Sequence, residues 1–242
     1  MTDPHVPPSR RRSTRVPLAD VAYDALLLQI IGGKRAPGDW LNIGALSREL
    51  ELSATPVREA LARLEPTGLV RRDPLRGYDV APLLTAEEIT QLMDARLLFE
   101  PLFTAQATER ASAAFLADLA ASIETMEHAG TTADAEAFRE SWVADEAFHT
   151  LISAQTGNPF THRAFVALGS QLQRFRLSGR AGRSHAREAA HEHREIYAAI
   201  AAGDGEAAAA LMRSHLGEAR RRTLDDERAV TNGTGPTLPS EE

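Results

Sequence analysis

Leu46-Ser-Arg-Glu-Leu-Glu-Leu-Ser-Ala-Thr-Pro-Val-Arg-Glu-Ala-Leu-Ala-Arg-Leu-Glu-Pro-Thr-Gly-Leu-Val70 holds two short amphipathic segments separated by a turn. Leu46 and Leu50 are one helical turn apart, and Val57, Leu61 and Leu64 repeat at the spacing of a buried helical face. Ser53 or Thr55 can cap the second helix through a side-chain oxygen, and Pro56 fits the first turn, where a missing N–H needs no partner. Thr55 and Arg58 then stand near the start of that helix. Arg58, Glu59, Ala62 and Arg63 fall off the apolar stripe, leaving guanidinium groups able to reach phosphates or guanine edges in a major groove. Gly68 is expected to end the helix. Leu69 to Val80 reads as two short strands around a Pro74-to-Gly77 turn, a β-wing with Arg76 and Gly77 at its tip. The unit reads as a winged helix-turn-helix, against the alternative of a small helical hairpin that happens to carry arginines.

The run Ser53-Ala-Thr-Pro-Val-Arg-Glu-Ala-Leu61, followed by Arg63-Leu-Glu and Gly68-Leu-Val, resembles the GntR family of bacterial transcription regulators over roughly Leu18 to Pro82. The resemblance implies DNA contacts by Thr55, Arg58, Arg76 and Gly77, with Ser53 and Arg48 beside them. Two positions depart from the pattern. Gly44 and Ala54 stand where members of the family often carry arginine or another polar residue, which thins the expected basic contacts.

Working outward, Leu18 to Ile31 is a helical pattern stopped by Gly32-Gly33, and Ala36-Pro-Gly-Asp turns the chain toward the helix-turn-helix. Residues 1–17, with four prolines and four arginines, read as a disordered basic arm. Thr85-Ala-Glu-Glu88 forms a capping-box signature after Pro82 and opens a second domain over residues 83–228. From Thr85 to about Arg228 its periodicity is helical nearly throughout. The expected breaks lie near Arg110-Ala-Ser, Ala129-Gly-Thr-Thr, Thr156-Gly-Asn-Pro, Gly179-Arg-Ala-Gly182 and Ala202-Gly-Asp-Gly205. The expected class is mostly α: an N-terminal winged helix-turn-helix, then an all-α antiparallel bundle of six or seven helices. Residues 229–242, rich in turn formers, read as a disordered tail.

The net charge of −7 is unevenly spread. Residues 1–82 hold 12 basic against 10 acidic side chains, and residues 83–242 hold 15 against 24. Only the first part favours a phosphate backbone; the acidic remainder suits dimer contacts and a small ligand. No apolar run approaches the roughly 20 residues of a membrane helix, and no signal peptide follows the N-terminal arginines. The expected compartment is the cytoplasm. The chain has no cysteine, so any metal must be bound by His and carboxylate.

Asp145 and His149 lie one turn apart on one helical face, half of a metal site. His193 and His215 are further candidates on other helices. Convergence of the four would suit a divalent ion such as zinc, nickel or manganese, though spacing alone leaves convergence open. His191 and His193 point about 200° apart on a helix, and Ile196 and Ile200 favour His193 as the inward one. The run Asp145-x-x-x-His149, Glu192-His-x-x-Ile-x-x-Ala-Ile-x-x-Gly-Asp204, Ala207 and Met212-x-x-His-Leu216 resembles the FCD-type ligand-binding domain of the FadR branch of the same family. In that domain an Asp and three His often hold a metal ion, which implies Asp145, His149, His193 and His215 here. The resemblance also implies an effector-facing role for Arg96, a small carboxylate effector coordinating the ion, and Asn158 as a pocket residue. Arg96 equally fits a surface pair with Glu100, and Asn158 equally fits a turn.

The function these readings imply is a homodimeric transcription regulator, more often a repressor in the family it resembles. It would bind a pseudo-palindromic double-stranded operator and respond to a small organic acid. The competing reading is a metalloenzyme with a DNA-binding appendage, in which the open metal positions activate water. It lacks an evident general base, although Glu146 and Glu192 are near in sequence.

Overall fold

A computed structural model describes residues 16–129, 135–169, 171 and 185–232. The breaks expected near residues 130–132 and 179–182, most of the basic arm and residues 233–242 of the tail lie outside them. The N-terminal domain contains α1 (Leu18–Gly32), α2 (Ile43–Glu49), α3 (Ala54–Leu64), a 3-10 turn (Glu65–Thr67), β1 (Val70–Asp73) and β2 (Gly77–Val80). The strands pair antiparallel, with Val70 opposite Val80 and Asp73 opposite Gly77. Leu26, Ile30, Leu46, Val57, Leu61, Leu64 and Val80 close the core of this head.

The winged helix-turn-helix is therefore present, with local differences. Ser53 occupies the cap position of α3 but makes no side-chain cap hydrogen bond, and Thr55 lies inside the helix. The capping side chain in this region is that of Asn42, whose Oδ1 accepts from the Ala45 amide at the start of α2. Helix α3 stops at Leu64, and Gly68, in the left-handed region, closes the 3-10 turn that follows. Pro66 explains this, because it has no N–H to continue the ladder.

Six helices of the C-terminal domain are described: α4 (Ala86–Glu109), α5 (Ala113–Ala129), α6 (Ala135–Gln155), α7 (Pro159–Ala167), α8 (Ala186–Ala201) and α9 (Gly205–Thr231). Thr85 and Glu88 form the expected reciprocal capping box. α4 carries Pro101 in its interior, and its packing along α9 and α6 holds the helix through the lost hydrogen bond. α9 runs to Thr231, beyond the boundary expected at Arg228. The bundle core includes Met93, Phe103, Leu119, Ile123, Phe148, Ile196, Met212 and Leu216.

Among the described residues, the main contact between helices of the two domains is made by α6. α6 packs on α1, and Trp142, with Phe138 beside it, joins the core of the N-terminal head rather than that of the bundle.

Glu51, in the turn between α2 and α3, has φ of 55° and is the one non-glycine residue with positive φ among the described residues. A side chain there costs about 1–2 kcal/mol, while glycine costs about 0.5–1 kcal/mol of chain entropy. Glu51→Gly is thus expected to stabilise the chain by about 0.5–1 kcal/mol, or a few degrees in Tm. A lowered melting temperature would show that the turn is held by the Glu51 side chain instead.

Candidate metal and effector site

Helices α4, α5, α6, α8 and α9 each send a side chain to one point inside the bundle. His149 from α6, His193 from α8 and His215 from α9 are all buried, each offering one nitrogen within 4.8 Å of the others. His193 Nε2 lies 3.3 Å from His215 Nε2 and 3.7 Å from Asp145 Oδ1, and the same oxygen is 3.8 Å from His149 Nε2. The three imidazoles therefore converge, with Asp145 beside two of them. His191 points outward and pairs with Glu195 at 3.8 Å, so the helical geometry selects His193 as the isoleucines suggested.

The outer nitrogens are each engaged from behind. His215 Nδ1 donates to Glu192 Oε2 at 2.7 Å, and Arg222 grips the same carboxylate with two hydrogen bonds of 2.6 and 2.9 Å. That contact fixes the proton on Nδ1 and leaves the His215 Nε2 lone pair facing inward. His149 Nδ1 approaches Glu100 Oε2 at 2.5 Å, a close polar contact without hydrogen-bond geometry. His193 Nδ1 rests 3.3 Å from the Met126 sulfur, and Phe148 stacks on the His193 ring with centroids 4.2 Å apart.

This donor set fits a divalent ion. Two nitrogens each about 2.1 Å from one tetrahedral ion are about 3.4 Å apart, close to the His193–His215 separation of 3.3 Å. Inward Nε2 atoms with a single carboxylate oxygen suit borderline ions such as zinc or nickel, and also manganese.

Electrostatics favour the neutral form of two of these imidazoles, His193 and His215. Burial pushes the His193 pKa well down, with His215 and His149 adding to the effect. Burial likewise lowers His215, opposed by its hydrogen bond to Glu192. For the carboxylates, burial acts to raise the pKa but charged partners win. Arg96 and His149 hold Glu100 at about 2, and Arg222 and His215 hold Glu192 at about 2.

Arg96 is 4% exposed, so the surface-pair alternative gives way to a buried one. Its Nε–H donates to Glu100 Oε1 at 2.5 Å, one terminal nitrogen reaches Glu100 Oε2 at 3.3 Å, and that nitrogen is also 3.3 Å from His149 Nε2. Arg96 thus sits directly beside the candidate ligands. Asn158 does not join them. It is exposed and caps α7, its Oδ1 accepting from the Phe160 and Thr161 amides. Glu100, Glu192 and Arg222 are the participants that sequence reading left without this role, although Glu192 stands next to His193.

On the head, Thr55, Arg58, Arg48, Ser53 and Arg76 are all exposed, and Gly77 is partly exposed with φ of 97° at the wing tip. Arg63 is taken up by α1, donating to Asp20 at 2.5 Å and lying 4.7 Å over the Tyr23 ring. Arg58 makes no ion pair among the described residues.

Comparison with known proteins gives the same two parts. Residues 91–218 match the FCD domain family, and residues 18–80 match the family of bacterial regulatory proteins, gntR family. The HTH-type transcriptional repressor GlaR of Escherichia coli K12 is 29% identical over 199 residues, covering 80% of this chain and 90% of that protein. The galactonate operon transcriptional repressor of the same strain is 27% identical over 215 residues, covering 80% and 91%. A solved GntR regulator from Rhodococcus sp. RHA1 superposes with a TM-score of 0.66 at 24% identity, covering 86% of this chain and 97% of that one, a likeness of fold.

The lowered histidine pKa values set a pH dependence. Below their ordinary value of 6.5 the unfolded chain takes up protons at His193 and His215 that the folded chain refuses. Stability therefore falls as pH drops below about 6.5. Thermal melts of metal-free protein should decline from pH 7 to 5, and His193→Ala should flatten that decline; an equal slope in the variant would contradict the assignment.

Proposed function

Because the chain belongs to the GntR family of bacterial regulatory proteins, in the group carrying an FCD domain, we propose that it is a dimeric repressor acting on cytoplasmic operator DNA. A small carboxylate bound beside a metal ion in the C-terminal bundle would govern its DNA binding. The family is one of transcription regulators rather than enzymes. The carboxylates at the cluster accord with this, since the buried Glu100 and the partly buried Glu192 are tied into ion pairs instead of being poised as bases.

One observation carries the sensing part of the proposal. α6 places Phe138 and Trp142 in the core of the DNA-binding head, and Asp145 and His149 of the same helix at the ligand cluster. A shift of α6 at the cluster is thereby a shift at the head. An effector acts on DNA only by its differential affinity for the two placements.

A divalent ion held by Asp145, His149, His193 and His215 would supply a cation for carboxylate oxygens to coordinate. Around it, the residues of the chain do the selecting. The planar fork of Arg96 can receive a second oxygen pair of the effector once it turns from Glu100. Glu192 and Arg222 keep His215 in the ligand tautomer. The relative named for the galactonate operon lends weight to an acid as effector, galactonate being a carboxylate.

The DNA side rests on the exposed N-terminal part of α3 and on the wing. Thr55 and Arg58 would enter a major groove, with Ser53 and Arg48 toward the backbone and Arg76–Gly77 at an adjoining groove. A second copy gives two such heads, hence a pseudo-palindromic site. Leu98 and Leu102, one turn apart on α4 and 76% and 55% exposed, form an aliphatic ridge suited to pairing with that copy.

Two measurements test the proposal. Purified full-length protein should bind a duplex from its own upstream region in a salt-sensitive manner, and Arg58→Ala should weaken binding by about 1–3 kcal/mol. Sequence-blind binding by both proteins would sink the operator reading. Elemental analysis should find about one divalent ion per chain, lost in His193→Ala, and a carboxylic-acid screen should raise Tm in the metal-loaded wild type but not in Arg96→Ala. An unchanged response in Arg96→Ala would remove Arg96 from the pocket.

A further inference from the structure

Trp40 is a large aromatic side chain left 62% exposed, on a segment between α1 and α2 that lies along the wing. The backbone of this segment extends the small sheet: Leu41 N–H donates to Tyr78 O at 2.8 Å, Val80 N–H to Asp39 O at 2.9 Å, and Gly38 N–H to Val80 O at 2.9 Å. Trp40 itself bridges to Asp79 across β2. From that position its indole Nε1–H donates to the backbone carbonyl of Arg76 at 2.7 Å, 36 residues away in sequence. A Cβ on Gly77 would lie 3.8 Å from the same nitrogen, so the indole edge closes on the wing tip at the glycine.

The wing tip is fastened from within as well. Asp73 Oδ1 accepts from the Leu75 and Arg76 amides at 2.7 and 3.0 Å, and Arg71 forks onto Asp79 across the strands at 3.1 and 2.7 Å. Asp73 sets the curvature of the turn. Among the described residues, Trp40 ties the tip by a side-chain hydrogen bond to a part of the head outside the hairpin, and an isolated two-stranded hairpin is marginal in water. Helix α3 offers no arginine at Ala54, so correct placement of Arg76 bears more of the basic contact.

We propose that Trp40 is a positioning residue of the DNA-reading surface, holding the Arg76 backbone so that its guanidinium meets the duplex, with the open indole face beside the same stretch of DNA. This rests on the reading of the head as a DNA-binding element.

The test uses the full chain and a 30-bp duplex enriched by the wild type from a randomised pool. Trp40→Phe keeps a six-membered aromatic ring but loses the pyrrole half of the indole with its N–H, and with it the hydrogen bond to the Arg76 carbonyl, so affinity should fall about three- to tenfold. Melting temperature should hardly move. Arg76→Ala should lower the slope of log K against log salt by about one, and Trp40→Phe should shift it in the same direction. The double variant should bind no more weakly than Arg76→Ala alone, since both changes remove one contact. Emission of the wild type should be quenched by the duplex and that of Trp40→Phe should not, because the other tryptophan, Trp142, is buried. Unchanged affinity in Trp40→Phe, additive losses in the double variant, or unquenched Trp40 each overturn the proposal. Enrichment of no duplex at all would overturn the DNA-binding reading and this one with it.

Discussion

Two carboxylates inside the helical bundle, Glu100 and Glu192, are each held between an arginine and an imidazole, and the interior is organised around that arrangement. A charge cannot be taken out of water without partners. Here the partner on one side is a guanidinium and on the other a histidine whose second nitrogen faces the centre. The consequence reaches through the fold: α4 and α6 are tied through Glu100 and His149, and α8 and α9 through Glu192, His215 and Arg222. The helices that carry the clustered histidines are thus registered by the residues behind them.

The fold was readable where local chemistry and tertiary packing agree. The leucines of residues 46–64 face the head core as their spacing requires, and Thr85 with Glu88 caps α4 as its signature requires. His193 rather than His191 turns inward because Ile196 and Ile200 share its side of α8. Where a pattern was ambiguous, a distant element decided it. Arg96 and Glu100 at four-residue spacing look alike on a surface and in a core; α9 and α6, which cover that face of α4, make the pair buried.

Other features left no local trace. The partner of Glu192 is Arg222, 30 residues on, and that of Trp40 is a carbonyl 36 residues on, so neither contact has a sequence period. Asn158 stands before Pro at a helix N-terminus, and its oxygen caps α7, a use that its place before Pro159 makes readable. Ser53 illustrates the reverse, a residue of the right type at the cap position whose hydroxyl makes no cap bond.

Trp142 adds a constraint of another kind. It grows from a helix of the bundle yet completes the apolar interior of the head, with its ring edge-on to Phe138 at 6.0 Å. Cut between the domains, the bundle would present an indole and a phenyl ring to water, and the head would be left with a gap in its interior. Each half is therefore part of the other's folding problem. Recombining this head with a different C-terminal domain would demand a replacement for one aromatic pair on α6, a requirement that limits which modular fusions could fold.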